Sequence, residues 1–239
     1  MINEAAGEGA RMICLPEHWI PGSRANLEEE LPLLAEIARE TGTYVISGAD
    51  YSSRGRTTTV EGVIFGPRGE VGRQQKVHLF AGEKNRATPG DAYSTFELDG
   101  VQVGLVICHD LVYPEVTRIL TLKGAEIIFA PAKIGAAGLE PWELYVKARA
   151  LENRVPIVSH NFLGPPKYPG ASLIVGLSVE PGEGVVYARV LARAGSEPKV
   201  LIADLDLRLI ERYRRERIRA RRPETYSELL KSQPSVSTP

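Results

Sequence analysis

Residues 99–124, DGVQVGLVICHDLVYPEVTRILTLKG, decide the fold. Asp99-Gly100 sits between two alternating runs: Phe96 and Leu98 before it, and Val101, Val103, Leu105 and Ile107 after it. An Asp-Gly pair in that setting predicts a tight hairpin, because both turn residues must accept positive φ. Pro114 suits the first position of a helix, where its missing N–H leaves nothing unsatisfied, and Gly124 ends that helix after about Lys123. Glu126 to Ala130 then reads as a buried strand. A strand, turn, helix and strand in this order predict a layered α/β or α+β domain.

The rest of the chain extends the alternation. Upstream, residues 2–10 read as the end of a helix, and Arg11 to Leu15 as a short apolar strand stopped by Pro16. Residues 26–40 place Leu27, Leu31, Leu34, Ile37 and Ala38 on one helical face, with Pro32 predicting a late start or a kink. Tyr44–Ala49 and Val60–Phe65 read as strands, and residues 66–69 as a turn leading into Val71. Downstream, Pro141 opens a helix with Trp142, Tyr145, Ala148 and Leu151 along one side, and Pro156–Asn161 is a strand. Residues 171–205 alternate like antiparallel strands. The last forty residues are polar and Arg-rich, and 231–239 read as a disordered tail. With no linker or repeat, residues 1–230 are expected to form one domain.

Composition narrows the function classes. The chain has 239 residues, 43% of them apolar, with 29 basic against 30 acidic side chains and a net charge of -1. That is enough apolar content for a sizeable core and too little net charge for a disordered chain. No basic surplus exists to neutralise phosphates, so no nucleic-acid partner is expected. No apolar run is long enough to span a bilayer, and the first residues lack the pattern of a signal peptide. Cys14 and Cys108 lie in apolar surroundings; they could form one disulfide, but they read better as two buried thiols of a reducing compartment, so a cytoplasmic protein is expected.

Cys108 carries the strongest chemical signal. It ends a buried strand just before a helix, a place that holds a nucleophile rigidly and favours a thiolate. The adjacent His109 and Asp110 do not complete a triad with it, because neighbours on an extended segment point to opposite faces. The possible metal ligands Cys14, His18, His78, Cys108, His109 and His160 show no ligand spacing, so no metal is expected. Glu17 and Lys76, each taken alone, read as charges at strand ends, and Glu83 as one more surface carboxylate.

Taken together these residues resemble the signature blocks of the nitrilase superfamily, the carbon–nitrogen hydrolases. Leu15-Pro16-Glu17, Lys76-Val77-His78-Leu79-Phe80 and Val106-Ile107-Cys108-His109-Asp110 with Tyr113-Pro114-Glu115 stand in the family order. Glu83 before Pro89-Gly90, Pro131-Ala132, Trp142, Ala148 to Asn153, Gly170-Ala171-Ser172 and Arg221-Arg222-Pro223 resemble its further blocks. The resemblance implies a four-layer α-β-β-α sandwich, pairing into homodimers or larger homo-oligomers, and no cofactor. It implies hydrolysis of an amide or N-carbamoyl bond of a small molecule through a cysteine thioester. Cys108 would be the nucleophile, Glu17 the general base, Lys76 the oxyanion donor and Glu83 the residue orienting them. His109 and Lys133 would line the substrate pocket, Lys133 as a cation for a substrate carboxylate. A nitrilase proper and a catalytically silent binding member are the alternatives; Cys-His-Asp looks more like the amidase and carbamoylase branches than the nitrilase Cys-Trp-Glu. The family begins with a strand ahead of the helix in which this chain begins, so an uncovered sheet edge is expected.

Overall fold

The predicted hairpin forms, and both of its turn residues take positive φ, 53° at Asp99 and 76° at Gly100. It belongs to a computed structural model that describes residues 1–22, 25–180 and 182–231; the expected tail lies outside these residues apart from Lys231. The first half of the chain forms α1 (Ile2–Gly7), β1 (Met12–Cys14), α2 (Leu27–Thr41), β2 (Tyr44–Ile46), β3 (Asp50–Arg54), β4 (Thr57–Gly66) and β5 (Gly69–Gln75). The second half forms β6 (Thr95–Leu98), β7 (Val101–Leu105), α3 (Pro114–Leu122), β8 (Ile127–Ala132), α4 (Leu139–Asn153) and β9 (Ile157–Asn161). The short pair β10 (Leu163–Gly164) and β11 (Tyr168–Pro169) follows, then β12 (Leu173–Val179), β13 (Val186–Arg193) and α5 (Leu207–Arg219).

Two mixed sheets result. In the second, the order is β13-β12-β9-β8-β7-β6. Its centre, β7-β8-β9, is parallel, and α3 and α4 make the crossovers. Strand β8 is buried at every position, as expected of a strand covered on both faces. In the first sheet, β4 is the hub. Strands β2 and β3 pair with different stretches of its one edge, β5 with the other, and β1 runs parallel to β2. Among the described residues, β1 has no strand partner but β2.

The sheets face each other across one core, in which Ile46, Val60 and Ile64 of the first sheet cluster with Leu98, Val103 and Leu105 of the second. Helix α2 covers the outer face of the first sheet, setting Leu27, Leu31, Leu34 and Ala38 on Val45, Val63 and Phe65. These layers are the nitrilase-like sandwich that the sequence implied. No helix among the described residues is long and apolar enough to cross a membrane.

Four local expectations need correction. Helix α2 starts at Leu27, capped by the Asn26 side chain, and continues through Pro32 to Gly42. The proline forfeits one hydrogen bond at a cost of about 3 kcal/mol, less than the burial of Leu27, Leu31 and Leu34 returns at about 2 kcal/mol each. Helix α4 starts at Leu139, ahead of Pro141, and buries Trp142, Val146, Arg149, Ala150 and Asn153; Tyr145, Ala148 and Leu151 are only partly covered. Residues 194–206 form no strand, and 207–219 are helical where only a polar stretch was read. Strand β3 went unread, because Asp50 to Arg54 carries no apolar alternation.

Gly48 sets the spacing between the first sheet and the segment that follows β1. A Cβ at this position would lie 1.9 Å from the Pro16 carbonyl oxygen, and φ is +72°. Gly48→Ala should therefore destabilise the fold by roughly 3 kcal/mol or more, against about 1 kcal/mol for Gly55→Ala. Gly55 has the same backbone hand (φ +63°) but open space around it. Urea unfolding of the two variants checks this, and equal midpoints would contradict it.

Candidate active site

Four loops bring the charged residues together. Glu17 follows β1, and its segment is laid on the first sheet by the His18 N–H donating to Ala49 O (2.7 Å) and the Ala49 N–H to Pro16 O (3.3 Å). Lys76 directly follows β5, with its N–H on Val60 O (2.8 Å). Glu83 lies in the short 3-10 helix Ala81–Asn85, and Cys108 opens another, Cys108–Val112, three residues beyond the end of β7. Cys108 takes φ +46° and Ala81 φ +44°. A left-handed conformation at a residue with a Cβ costs about 1–3 kcal/mol and persists only where the surroundings enforce it.

Asp110 helps enforce it. Its fully buried carboxylate accepts from the His78 N–H (2.8 Å), His78 Nδ1 (2.8 Å) and the Tyr93 hydroxyl (3.0 Å). The turn that carries Cys108 is thereby clamped to the loop that carries Lys76. The sequence reading gave Asp110 no task; its position two residues after the cysteine was the only available signal.

The four family-signature residues meet. Lys76, 1% exposed, donates from Nζ to Glu17 Oε1 at 2.7 Å and to Glu83 Oε1 at 2.8 Å. Glu83 Oε2 accepts the Phe80 N–H at 2.6 Å. Glu17 and Lys76 lie close enough to the Cys108 sulfur for their charges to act on it, and the Lys133 backbone N–H approaches it as well. Burial and the Glu17 charge push the Cys108 thiol well above its ordinary pKa, against the pull of Lys76. Cys108 is thus a neutral thiol at neutral pH. Burial draws Lys76 towards neutrality, but Glu17, the Cys108 sulfur and Glu83 outweigh it and raise its pKa. Burial likewise opposes ionisation of Glu83, yet hydrogen bonds from His18, Lys76 and Phe80 bring it down to about 2.

His109 and Lys133 stand differently. The His109 ring packs against Phe80 (5.0 Å) and Tyr113 (5.5 Å), with Nε2 3.4 Å from the Tyr113 hydroxyl. Burial, Lys76 and His78 lower its pKa, so it is neutral above pH 7. The Lys133 ammonium donates to the His18 carbonyl at 3.2 Å and lies 4.1 Å from the centre of the Phe162 ring. It is already engaged by a carbonyl and an aromatic face.

Donor atoms of Glu17, His18 and Glu83 lie within 4.8 Å of one another, close enough to hold a cation in principle. The Lys76 ammonium bonds both glutamates, however, and a metal ion would have to displace it. Both cysteines are free thiols, and the Cys14 Sγ donates to Leu15 O (3.3 Å), away from the cluster. A broad surface cleft of about 840 Å³ lies elsewhere, lined by Arg118, Arg154, Tyr213 and Arg217, and none of the four signature residues faces it.

Comparison with known proteins gives the family of the chain. Residues 1–215 match the family model described as carbon-nitrogen hydrolase. The chain is 33% identical over 232 residues to a nitrilase of Pyrococcus abyssi, covering 90% of this chain and 84% of that protein. It is 30% identical over 259 residues to the omega-amidase NIT2 of Xenopus tropicalis, covering 95% and 88%. The solved carbon-nitrogen hydrolase of Helicobacter pylori G27 superposes with a TM-score of 0.84 at 24% identity, over 98% of this chain and 91% of that one. In sequence, in fold and in the meeting of its signature blocks, the chain belongs to the carbon–nitrogen hydrolase family, the nitrilase superfamily.

Proposed function

We propose that the protein hydrolyses the carbon–nitrogen bond of a small amide or N-carbamoyl compound through a thioester on Cys108. One observation carries this reading: a buried Lys76 ammonium held between Glu17 and Glu83, with the Cys108 sulfur close enough to the same Glu17 for its charge to act on the thiol. The similarity to omega-amidases, at up to 30% identity, supports an amide substrate. The Pyrococcus abyssi nitrilase keeps the nitrile as the second reading.

In the proposed reaction Glu17 takes the thiol proton as sulfur attacks the carbonyl carbon. Negative charge moves to the carbonyl oxygen, where Lys76 and a backbone N–H beside Cys108 stabilise it. One preorganised donor of this kind contributes about 3 kcal/mol. Glu17 then gives its proton to the departing nitrogen, the C–N bond breaks, and ammonia or an amine leaves. Water, deprotonated by Glu17, attacks the thioester; the C–S bond breaks, the acid is released and the thiol regains its proton. Glu83 stays ionised throughout and fixes the Lys76 ammonium.

A panel of ω-amides, carbamoyl acids, aliphatic amides and nitriles, read by ammonia release, tests the assignment. Amides or carbamoyl acids should turn over, and Cys108→Ala should lower turnover by about 10⁴-fold or more with unchanged circular dichroism. Residual activity near that of the wild type would remove the nucleophile. Iodoacetamide, followed by intact mass, should label Cys108 far faster than Cys14, and equally slow labelling of both would favour a catalytically silent protein.

The two charged partners should separate kinetically. Lys76→Ala is expected to lower kcat by roughly 10²–10³-fold with little change in KM, because its hydrogen bond forms fully only in the transition state. Glu17→Gln should lower kcat/KM by about 10²–10⁴-fold, the usual range for a general base. A Lys76→Ala effect confined to KM would assign Lys76 to substrate binding instead.

A further inference from the structure

His18 has no task in the reaction above, yet it is held as firmly as the residues that do. It takes φ +50°. Its Nδ1 lies 3.1 Å from Asp50 Oδ1 and its Nε2 3.0 Å from Glu83 Oε1. The Asp50 carboxylate also accepts the N–H groups of Tyr51 (2.8 Å) and Ile20 (3.1 Å), and Glu83 accepts the Phe80 N–H and the Lys76 ammonium. Ionised carboxylates only accept, so both ring nitrogens must donate, and only the imidazolium has a proton on each.

We propose that His18 is a positioning residue for carbon–nitrogen bond hydrolysis: a doubly protonated imidazolium, wedged between Asp50 and Glu83, that fixes Glu83 and through it the Lys76 ammonium where the oxyanion forms. This inference rests on the proposed function. The charges alternate along one row: Asp50, His18, Glu83, Lys76, Glu17. Remove the imidazolium, and three carboxylates face one ammonium in a buried site, so that the excess negative charge of the row rises from one to two.

The titration behaviour is consistent with this. Burial pulls the His18 pKa down, but Asp50, Glu83 and Glu17 raise it to about 9. The groups around it are identified. Tyr51 stacks on the ring at 5.0 Å and itself carries the Arg86 guanidinium at 4.1 Å. Lys133 binds the His18 carbonyl, and Lys76 lies beyond Glu83. Lys76, Cys108 and Tyr51 all have raised pKa values, starting from 10.5, 9.0 and 10.0. His18 is therefore the first of these groups to lose a proton as the solution becomes alkaline. Its deprotonation turns a lone pair towards a carboxylate and releases Glu83.

The test combines kinetics with ring-nitrogen NMR on the intact protein. Ammonia release from the best amide of the panel is followed between about pH 6 and pH 10 for the wild type and for His18→Gln. Wild-type kcat should fall as His18 titrates near pH 9. His18→Gln should lose about tenfold or more in kcat at neutral pH, keep its KM, and lack that alkaline fall. Asp50→Asn, which removes one of the two carboxylates, should move the fall to lower pH by about one unit. The ¹⁵N spectrum of the wild type should show both His18 nitrogens protonated at pH 8. A singly protonated ring there, or a His18→Gln enzyme with the wild-type kcat and alkaline limb, overturns the inference. If His18→Gln does not fold, His18→Asn, which tolerates the left-handed backbone, takes its place. If the wild type hydrolyses no amide and Cys108 is not preferentially alkylated, the proposed function fails. The NMR result then still decides by itself whether the imidazolium bridge exists.

Discussion

A lysine ammonium shut off from water survives only inside a shell of carboxylates. Lys76 is 1% exposed, and an isolated charge at that depth would cost many kcal/mol or give up its proton. Two glutamates from different loops must therefore reach it: Glu17 from the segment after β1 and Glu83 from the 3-10 helix after Lys76. Each glutamate brings a buried negative charge that would be equally costly without Lys76. Removing Lys76 leaves two buried carboxylates without their ammonium, a situation that typically costs 3–5 kcal/mol. The cluster thus specifies its own geometry, because displacement of one loop exposes an unpaired charge in another.

The backbone around the cluster is built to withstand that demand. Three residues bearing a Cβ adopt the left-handed conformation at His18, Ala81 and Cys108, and each is a member or an immediate neighbour of the charged row. Strain of this kind needs rigid support. The first sheet supplies it through the His18 and Ala49 hydrogen bonds, where Gly48 lets two chain segments approach closely. The second sheet supplies it through Val106 N–H on Phe129 O and through Asp110, which ties the cysteine turn to the lysine loop. Loops from both sheets thus meet where the two β layers face each other, and neither sheet alone could hold all four residues.

Much of this was legible in the sequence, for reasons that can be named. The hairpin at Asp99-Gly100, strand β7 and helix α3 follow from local rules of turn and helix chemistry. The meeting of Glu17, Lys76, Glu83 and Cys108 followed from the resemblance, since Glu17 and Lys76 alone read as charges near strand ends, Glu83 as a surface carboxylate, and Cys108 as a cysteine with no partner in its own stretch of sequence. His18 stayed hidden because its partner Asp50 lies on β3, a strand with no apolar alternation to mark it. Asp110 was visible only as a neighbour of the cysteine, while its bonds run to His78 and Tyr93, far off in sequence. Helix α5 was missed for a different reason. Asp206 caps it, but its fully buried positions are only Ile210 and Arg214, so the Arg-rich surface masks a thin buried stripe. The paired arginine of α4, Arg149, shows the same limit: it is buried because it caps the Leu111 and Val112 carbonyls, which no periodicity reveals.

The electrostatics also assign the proton traffic of the proposed reaction. Cys108 begins neutral, because burial and the Glu17 charge push its thiol up, so some group must accept its proton during attack. Lys76 cannot: its pKa is raised and it arrives already protonated. Glu83 is a poor acceptor, held near 2 by His18, Lys76 and Phe80, with both oxygens occupied. His18 holds protons on both nitrogens and has no free lone pair. Glu17 is the carboxylate of the row that acts on the thiol, and Lys76 occupies its Oε1 alone. The fixed charges around it act as a frame: by holding every neighbour in one protonation state, they confine proton transfer to the Glu17 carboxylate, the sulfur and the substrate.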